Sequence, residues 1–435
     1  MTALSGCLGG NGGGGDGGNS TGGDGNSGNV PEILFWIGSA DPESPGGKFR
    51  DWYHSSFEEN HDAKLTISTF SYMDRRQKFL TGGRQGEPDY IEGVLSHISE
   101  FQKAGLLEPL TEQAKNLDYW DGFIEGAKDA VTYDGEVWGL PSTGNGRALV
   151  YRNDVFEELG LEPPETVEEF HQAGRTINEE MDDMWAFHNC TKEGSVRAFQ
   201  EWISHVYQHE DNLYQVKDGS WELVPSAETL GTIFKNWYAE VYASDDPVGN
   251  PDSLGTGWQV NDYGYLNGDY AMIECGPWVL EMVSDDEIDD SDAAKKRIQE
   301  NTTIKHLPHA ENASRGTYLE VKSLMVNKHS SNTEMAFQAA EHRTNLEAFE
   351  KMKENGMNLA TPMHTEISTT IENDNLAAFG DVIETARPLA KIKWGSVRTA
   401  FYEEMQAVAY GDKDPMTAGE DFHQKLDDIT SDLST

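Results

Sequence analysis

Few residues in this 435-residue chain stand at spacings that chemistry would use. His306 and His309 are three apart, the spacing at which one helical face presents two imidazoles to a metal. Pro308 lies between them and breaks that face, so they read as loop histidines. The cysteines are Cys7, Cys190 and Cys275, too few for a disulfide framework or a four-thiolate zinc site. The acidic run 285–292 lacks the alternating oxygen ligands and central glycine of a calcium loop, and reads as a solvated segment. Phosphate-loop and HExxH motifs are absent, and Gly144-Asn145-Gly146 does not continue into a dinucleotide fingerprint. A carboxylate pair for glycoside hydrolysis stays open among 76 acidic residues, although that abundance deprives any single one of meaning. No metal, no cofactor and no catalysis is what the sequence advertises.

The elements that would position any site alternate between strand and helix. Glu32–Ile37 is a short apolar run bounded by Pro31 and Gly38, the pattern of a buried strand. Residues 47–60 follow as a helix with Phe49, Trp52, Tyr53 and Phe57 on one stripe. Leu65–Ser68 is a second strand, 71–81 a second helix, Pro88–Ile91 a further strand end, and 96–104 a short helix closed by Gly105. This rhythm predicts a parallel α/β sheet. Val137–Pro141 and Ala148–Tyr151 are strand-like runs around a Gly-rich loop, 142–146, the pattern of a crossing between lobes. Thr166 and Glu169 form a capping box for a helix over 164–179. Further helices are expected over 195–209, 226–242, 332–355 and 396–410.

Charge narrows the partners. With 76 acidic and 33 basic residues the net charge is −43, which leaves no basic footprint for nucleic acid and disfavours anionic membrane surfaces. Self-repulsion at this charge weakens the compact state in dilute buffer. In molar salt the Debye length falls to about 3 Å and the penalty largely disappears, so the composition points to a brine. The aromatic content, 11 Trp, 16 Tyr and 17 Phe, excludes disorder as the cause.

The first 29 residues include 13 Gly among Asn, Ser, Asp and Thr, the composition of a flexible tether. Directly before it, Leu4-Ser5-Gly6-Cys7 resembles a lipobox, which implies lipidation at Cys7 and an anchor in the membrane. Only six residues precede Cys7 and none is basic, so a complete signal is expected upstream. No run of 18 apolar residues occurs. The sequons at Asn19, Asn189, Asn301 and Asn312 are compatible with export.

Several stretches together resemble the extracellular solute-binding proteins of carbohydrate ABC importers, the maltose-binding-like family. They are Phe101–Leu110 ("FQKAGLLEPL"), Asp134–Pro141 ("DGEVWGLP"), Tyr151–Leu161 ("YRNDVFEELGL"), Pro164–Phe170 ("PETVEEF"), Leu266–Met272 with Gly276-Pro277-Trp278, and the close from Trp394 to Gly411 with Pro415–Leu426. Each is weak alone; their order and spacing over roughly 30–430 carry the resemblance. Departures are Val167 and Arg152, where the family has Trp and Asn, and Cys275 just before the Gly-Pro-Trp segment. That cysteine reads as a buried thiol, with pairing to Cys190 left open.

The resemblance implies an α/β, two-lobed periplasmic-binding-protein-like fold with crossing hinge strands, and a ligand held between the lobes. Residues 1–29 are the lipobox and tether. Residues 30–142 plus about 267–325 are expected as the first lobe, and about 143–266 plus 326–435 as the second. Sugar C–H faces pack on aromatic rings while hydroxyls need polar partners at fixed angles. By family position the ligand contacts are Trp36, Asp89, Asn145, Arg147, Trp185, Trp258, Trp278, Glu320 and Trp394. Each aromatic has core packing as its alternative, and Asn145 and Arg147 have a hinge role. Loss of Asp89 is expected to abolish binding. The implied function is a monomeric, non-catalytic binding protein for a sugar or oligosaccharide, serving ABC permease subunits on the outer face of the membrane. Two alternatives remain: a glycerol-phosphate-like ligand held by Arg147 and Arg315, and a secreted carbohydrate hydrolase.

Overall fold

A computed structural model describes residues 30–40, 42–357, 363–368 and 374–433. The lipobox-like Cys7 and the tether lie outside the described residues. Nine strands build two sheets: β1 Glu32–Ile37, β2 Lys64–Thr69, β3 Tyr90–Val94, β4 Leu140–Asn145, β5 Ala148–Arg152, β6 Trp185–His188, β7 Tyr270–Cys275, β8 Thr302–Lys305 and β9 Glu320–Val326. The first sheet runs β2-β1-β3-β9-β4 and the second β8-β5-β7-β6.

In the first sheet β1, β2 and β3 are parallel, with Phe35 opposite Tyr90. Strand β9 runs antiparallel between β3 and β4, placing Glu320 opposite Asn145. The alternation in β1 explains its packing, because Ile33, Phe35 and Ile37 are the buried set. They meet the helix Pro45–Asn60, whose Phe49, Tyr53 and Phe57 recur every four residues on its buried side. Ser44 caps that helix by accepting from the Gly47 amide at 3.1 Å, and Pro45 fills its first turn. The helix Leu95–Lys103 ends as expected, with Gly105 at φ +68°, a conformation a Cβ would strain.

The second sheet is mixed: β7 is parallel to β6 and antiparallel to β5. Its central support is the helix Val196–His209, buried from Arg197 through Gln208. The capping box forms as the sequence predicts, Thr166 accepting from the Glu169 amide at 3.2 Å while Glu169 accepts from the Thr166 amide at 3.0 Å. The terminal helices Gly395–Ala409 and Pro415–Thr430 pack on this lobe. Gly419 on the last helix touches the backbone of Gly231 on the helix Ala227–Phe234, where a Cβ would stand 2.4 Å from the Gly231 nitrogen, so these two helices approach as closely as backbones allow.

Three expectations change. The expected helix over 332–355 is two, Thr333–Thr344 and Leu346–Glu354, because Asn345 leaves the helical path and caps the second at Ala348 N, 2.8 Å. The expected loop 142–146 is the continuation of β4 through Asn145. The lobe boundaries also differ: β7 and β8, expected in the first lobe, pair in the second sheet, and the helices Thr333–Thr344 and Leu346–Glu354 pack on the first-lobe helix Pro45–Asn60. Residue pattern identifies a strand but carries no record of which sheet it joins.

Candidate ligand-binding cleft

Strand direction defines the cleft. In open α/β sheets the free space for a ligand lies beyond the carboxyl ends of the parallel strands. Here β4 ends at Asn145 and the chain turns through Gly146 and Arg147 into β5 of the second sheet. The return passes from Thr317 and Tyr318 into β9 at Glu320, beside Asn145. Strand Ala386–Arg387 lies parallel to Thr317–Tyr318 beside this return.

At these crossings four of the expected residues form one group. The Arg147 guanidinium donates to Asn145 Oδ1 at 2.7 Å and to Gln200 Oε1, while Gln200 Nε2 donates to Glu320 Oε2 at 2.6 Å. The same guanidinium carbon stands 4.9 Å from the Trp278 ring centre and 5.9 Å from that of Tyr318. The Arg147 backbone is pinned in both directions, its N–H donating to Thr317 Oγ1 and its carbonyl accepting from that hydroxyl. Burial, and next the Arg197 guanidinium, lowers the Arg147 pKa. Asn145 and Arg147 are therefore buried structural partners of the hinge, and Glu320 is the half-buried polar end of the group.

Trp278 follows β7 and its indole N–H donates to Asp262 Oδ2 at 2.7 Å. Asp262 is fully buried and is itself held by Arg197 Nη2 at 3.3 Å and Asn261 Nδ2 at 3.1 Å. Arg197 also lies 4.9 Å from the Trp278 ring and donates to Glu201 at 2.6 Å. Burial raises the Glu201 carboxyl above the usual carboxylate range, against the opposing pull of Arg197. Burial lowers the Arg197 pKa, but the Asp262 and Glu201 carboxylates outweigh it and hold the group well above its ordinary value. Trp258 begins the helix Trp258–Asn267, is 39% exposed, and lies 5.8 Å from the Tyr263 ring. It is an aromatic surface open to solvent. Trp36, half-buried near the carboxyl end of β1, packs edge-on to Phe70 at 5.0 Å.

Three expected contacts are not brought to this group. Asp89 precedes β3 at the amino end of the sheet, away from the crossings. Its oxygens accept from Leu34 N at 2.7 Å, from the Ser330 hydroxyl and from Asn332 Nδ2 at 3.4 Å, so they hold the lobe together. Trp185 starts β6 rather than ending it, and lines a polar cavity of about 520 Å³ with Asp182, Asp269 and Tyr270 at the far end of the second lobe. Trp394 is core: 5% exposed, it donates to Ala390 O at 2.8 Å and packs 5.5 Å from Phe199. A sequence places a residue at a strand end without saying which end faces the partner lobe.

Sequence reasoning missed Gln200, Arg197 and Asp262. One signal was present: Arg197, Gln200, Glu201, Ser204, His205 and Gln208 fall at helical spacing on a single stripe of an otherwise apolar helix. Cys190 and Cys275 are both free and buried. Arg315, half-exposed and 4.0 Å from Glu165, is not part of the group at the crossings. His306 and His309 stay apart from any ligand set, and among the described residues no group of three His, Cys, Asp or Glu is placed to hold a metal ion.

Two α/β lobes joined by crossing strands, with polar and aromatic groups gathered at the crossing, define a binding protein of the periplasmic type. The chain belongs to the bacterial extracellular solute-binding protein family, whose model matches residues 52–378. A putative binding protein of Brucella abortus is 22% identical over 340 residues, 76% of this chain and 77% of that one. The fold is shared with the GacH receptor of Streptomyces glaucescens, solved unliganded and with acarbose (TM-score 0.75, 18% identity, 93% of this chain and 99% of that one). It is shared too with the maltotriose-binding protein of Thermus thermophilus, solved with maltotriose (TM-score 0.68, 21% identity, 91% and 99%).

Proposed function

We propose that the protein binds a neutral sugar or oligosaccharide between its lobes and presents the closed form to an ABC permease. The observation that carries this reading is the group at the crossings, where the Glu320 acceptor is tied through Gln200 and Arg147 to the Trp278 ring, while Trp258 is an open ring on the helix that carries Asp262. Aromatic faces with a few fixed polar atoms suit a polyol better than an ion. The anionic alternative loses its candidates, because Arg147 is taken up by Asn145 and Gln200 and Arg315 stays at the surface. Binding shifts the population from open to closed in proportion to the contacts made only when closed. The test is a thermal-shift screen of a sugar panel in molar potassium chloride. A ligand at a hundred times its Kd adds about 2.7 kcal/mol of stability. A shift with a glycerol phosphate and with no neutral sugar ends this reading.

We further propose that Cys7 carries a lipid and that residues 8–29 tether the domain to the outer face of the membrane. The lipobox-like Leu4-Ser5-Gly6-Cys7 and the Gly-rich run support this. Among the described residues no helix is long and apolar enough to cross a membrane. Substitution Cys7→Ser then releases the protein from the membrane fraction; continued membrane association contradicts the anchor. The −43 charge supports a high-salt setting, checked by a melting temperature that rises from dilute buffer to molar salt.

A further inference from the structure

We infer that Gln200, a residue no comparison singles out, is the positioning residue that aims Glu320 at the ligand; this rests on the sugar-cleft reading. Gln200 stands on the second-lobe helix Val196–His209, whereas Glu320 is the first residue of β9 in the first sheet. One side-chain amide therefore spans the lobes. Its polarity is forced from both ends. Arg147 has only donors, so the oxygen of the amide must face it; the Glu320 carboxylate has only acceptors, so the NH₂ must face that side. Gln200 is 7% exposed and Arg147 2%, so both bonds sit in a medium where each polarises the next.

The bond occupies Oε2 of Glu320. Among the described residues no other side chain donates to this carboxylate, so Oε1 is the atom left for a hydroxyl of the ligand. The chain Asn145–Arg147–Gln200–Glu320 fixes that oxygen relative to the Trp278 ring, which Arg147 also touches. A ligand with a hydroxyl beside an apolar C–H face, the common feature of neutral pyranoses, satisfies both at once.

Two variants test the inference. Gln200→Met keeps the volume and removes both bonds. Gln200→Glu keeps the shape but sets a second carboxyl against Glu320, and two such groups at this distance share one proton. The charged and titratable groups facing that position are Arg147, Glu320 and Tyr318 from the crossings, Arg197 and Glu201 from its own helix, and Arg398 from the terminal helix. With the proton in place the new carboxyl reproduces the amide, accepting from Arg147 and donating to Glu320.

Titrations with the sugar found by the screen are expected to give Gln200→Met an affinity about tenfold below wild type, the size of one lost hydrogen bond to a charged group. Gln200→Glu is expected to bind near wild type at acidic pH and to weaken as pH rises, a slope the wild type lacks. A merely structural role would lower the melting temperature without that slope. Wild-type affinity in both variants, or parallel pH profiles for Gln200→Glu and wild type, overturns the inference while leaving the sugar reading intact. A wild type that binds no sugar overturns both.

Discussion

The Arg147 guanidinium carbon lies 4.9 Å from the centre of the Trp278 ring, joining the crossing strands to the aromatic segment that follows β7. A cation over an indole face is worth about 0.5–2 kcal/mol, more where water is excluded, as it is around a side chain 2% exposed. The contact ties Trp278 to the crossing strands. The side chain that makes it is anchored to Asn145 on the first sheet and to Gln200 on the second-lobe helix.

Replacing Trp278 separates its two bonds. Trp278→Phe keeps a ring near Arg147 but leaves buried Asp262 without its indole donor, at a cost of about 1–3 kcal/mol. Trp278→Ala loses the ring as well and is expected to be less stable still. Denaturant midpoints of the three proteins check the order wild type, Phe variant, Ala variant; equal midpoints contradict the role given to Asp262.

Trp258 is predicted to behave in the opposite way. It is 39% exposed, so Trp258→Ala is expected to leave stability within about 0.5 kcal/mol. Loss of an aromatic platform for a sugar face weakens binding by about 2- to 10-fold. Calorimetric titration alongside thermal melting reads both. Unchanged affinity removes Trp258 from the cleft.

Acid is expected to destabilise the second lobe through His188. The ring is fully buried, shares hydrogen bonds with Thr256, Tyr242 and Ser253, and stacks on Tyr270 at 5.1 Å. Burial pushes its pKa down to about 3 from an ordinary 6.5. The unfolded chain then binds a proton that the folded chain refuses. The stability this group contributes is complete above pH 6.5 and is lost as pH falls towards 3, at about 1.4 kcal/mol per pH unit. Urea midpoints of wild type and His188→Gln between pH 7.5 and 5 measure it, and parallel profiles contradict it.

Much of the fold was legible because the decisive signals were local. The apolar run of Glu32–Ile37, the capping box of Thr166 and Glu169, and the Gly105 terminator each depend on neighbours within a few residues, and each stands where the sequence puts it. Sheet membership was not legible: β7 and β8 read as strands, but only long-range pairing sends them to the second lobe. The same limit sorts the site. Asn145, Arg147 and Glu320 sit at crossings that the Gly-rich break and the family motifs mark. Asp89 and Trp185 stand away from those crossings because each lies at the amino end of its strand. Gln200 stayed hidden because its partners, Arg147 and Glu320, are 53 and 120 positions away.

The central claim is that the ligand sits at the crossings and not at the far end of a lobe. Calorimetric titration of wild type, Glu320→Gln and Asp89→Ala with one sugar from the screen tests it most directly. The prediction is an affinity about tenfold or more lower in Glu320→Gln, and within about twofold of wild type in Asp89→Ala, whose loss falls on stability instead. Undiminished binding by Glu320→Gln, or abolished binding by a folded Asp89→Ala, would contradict it.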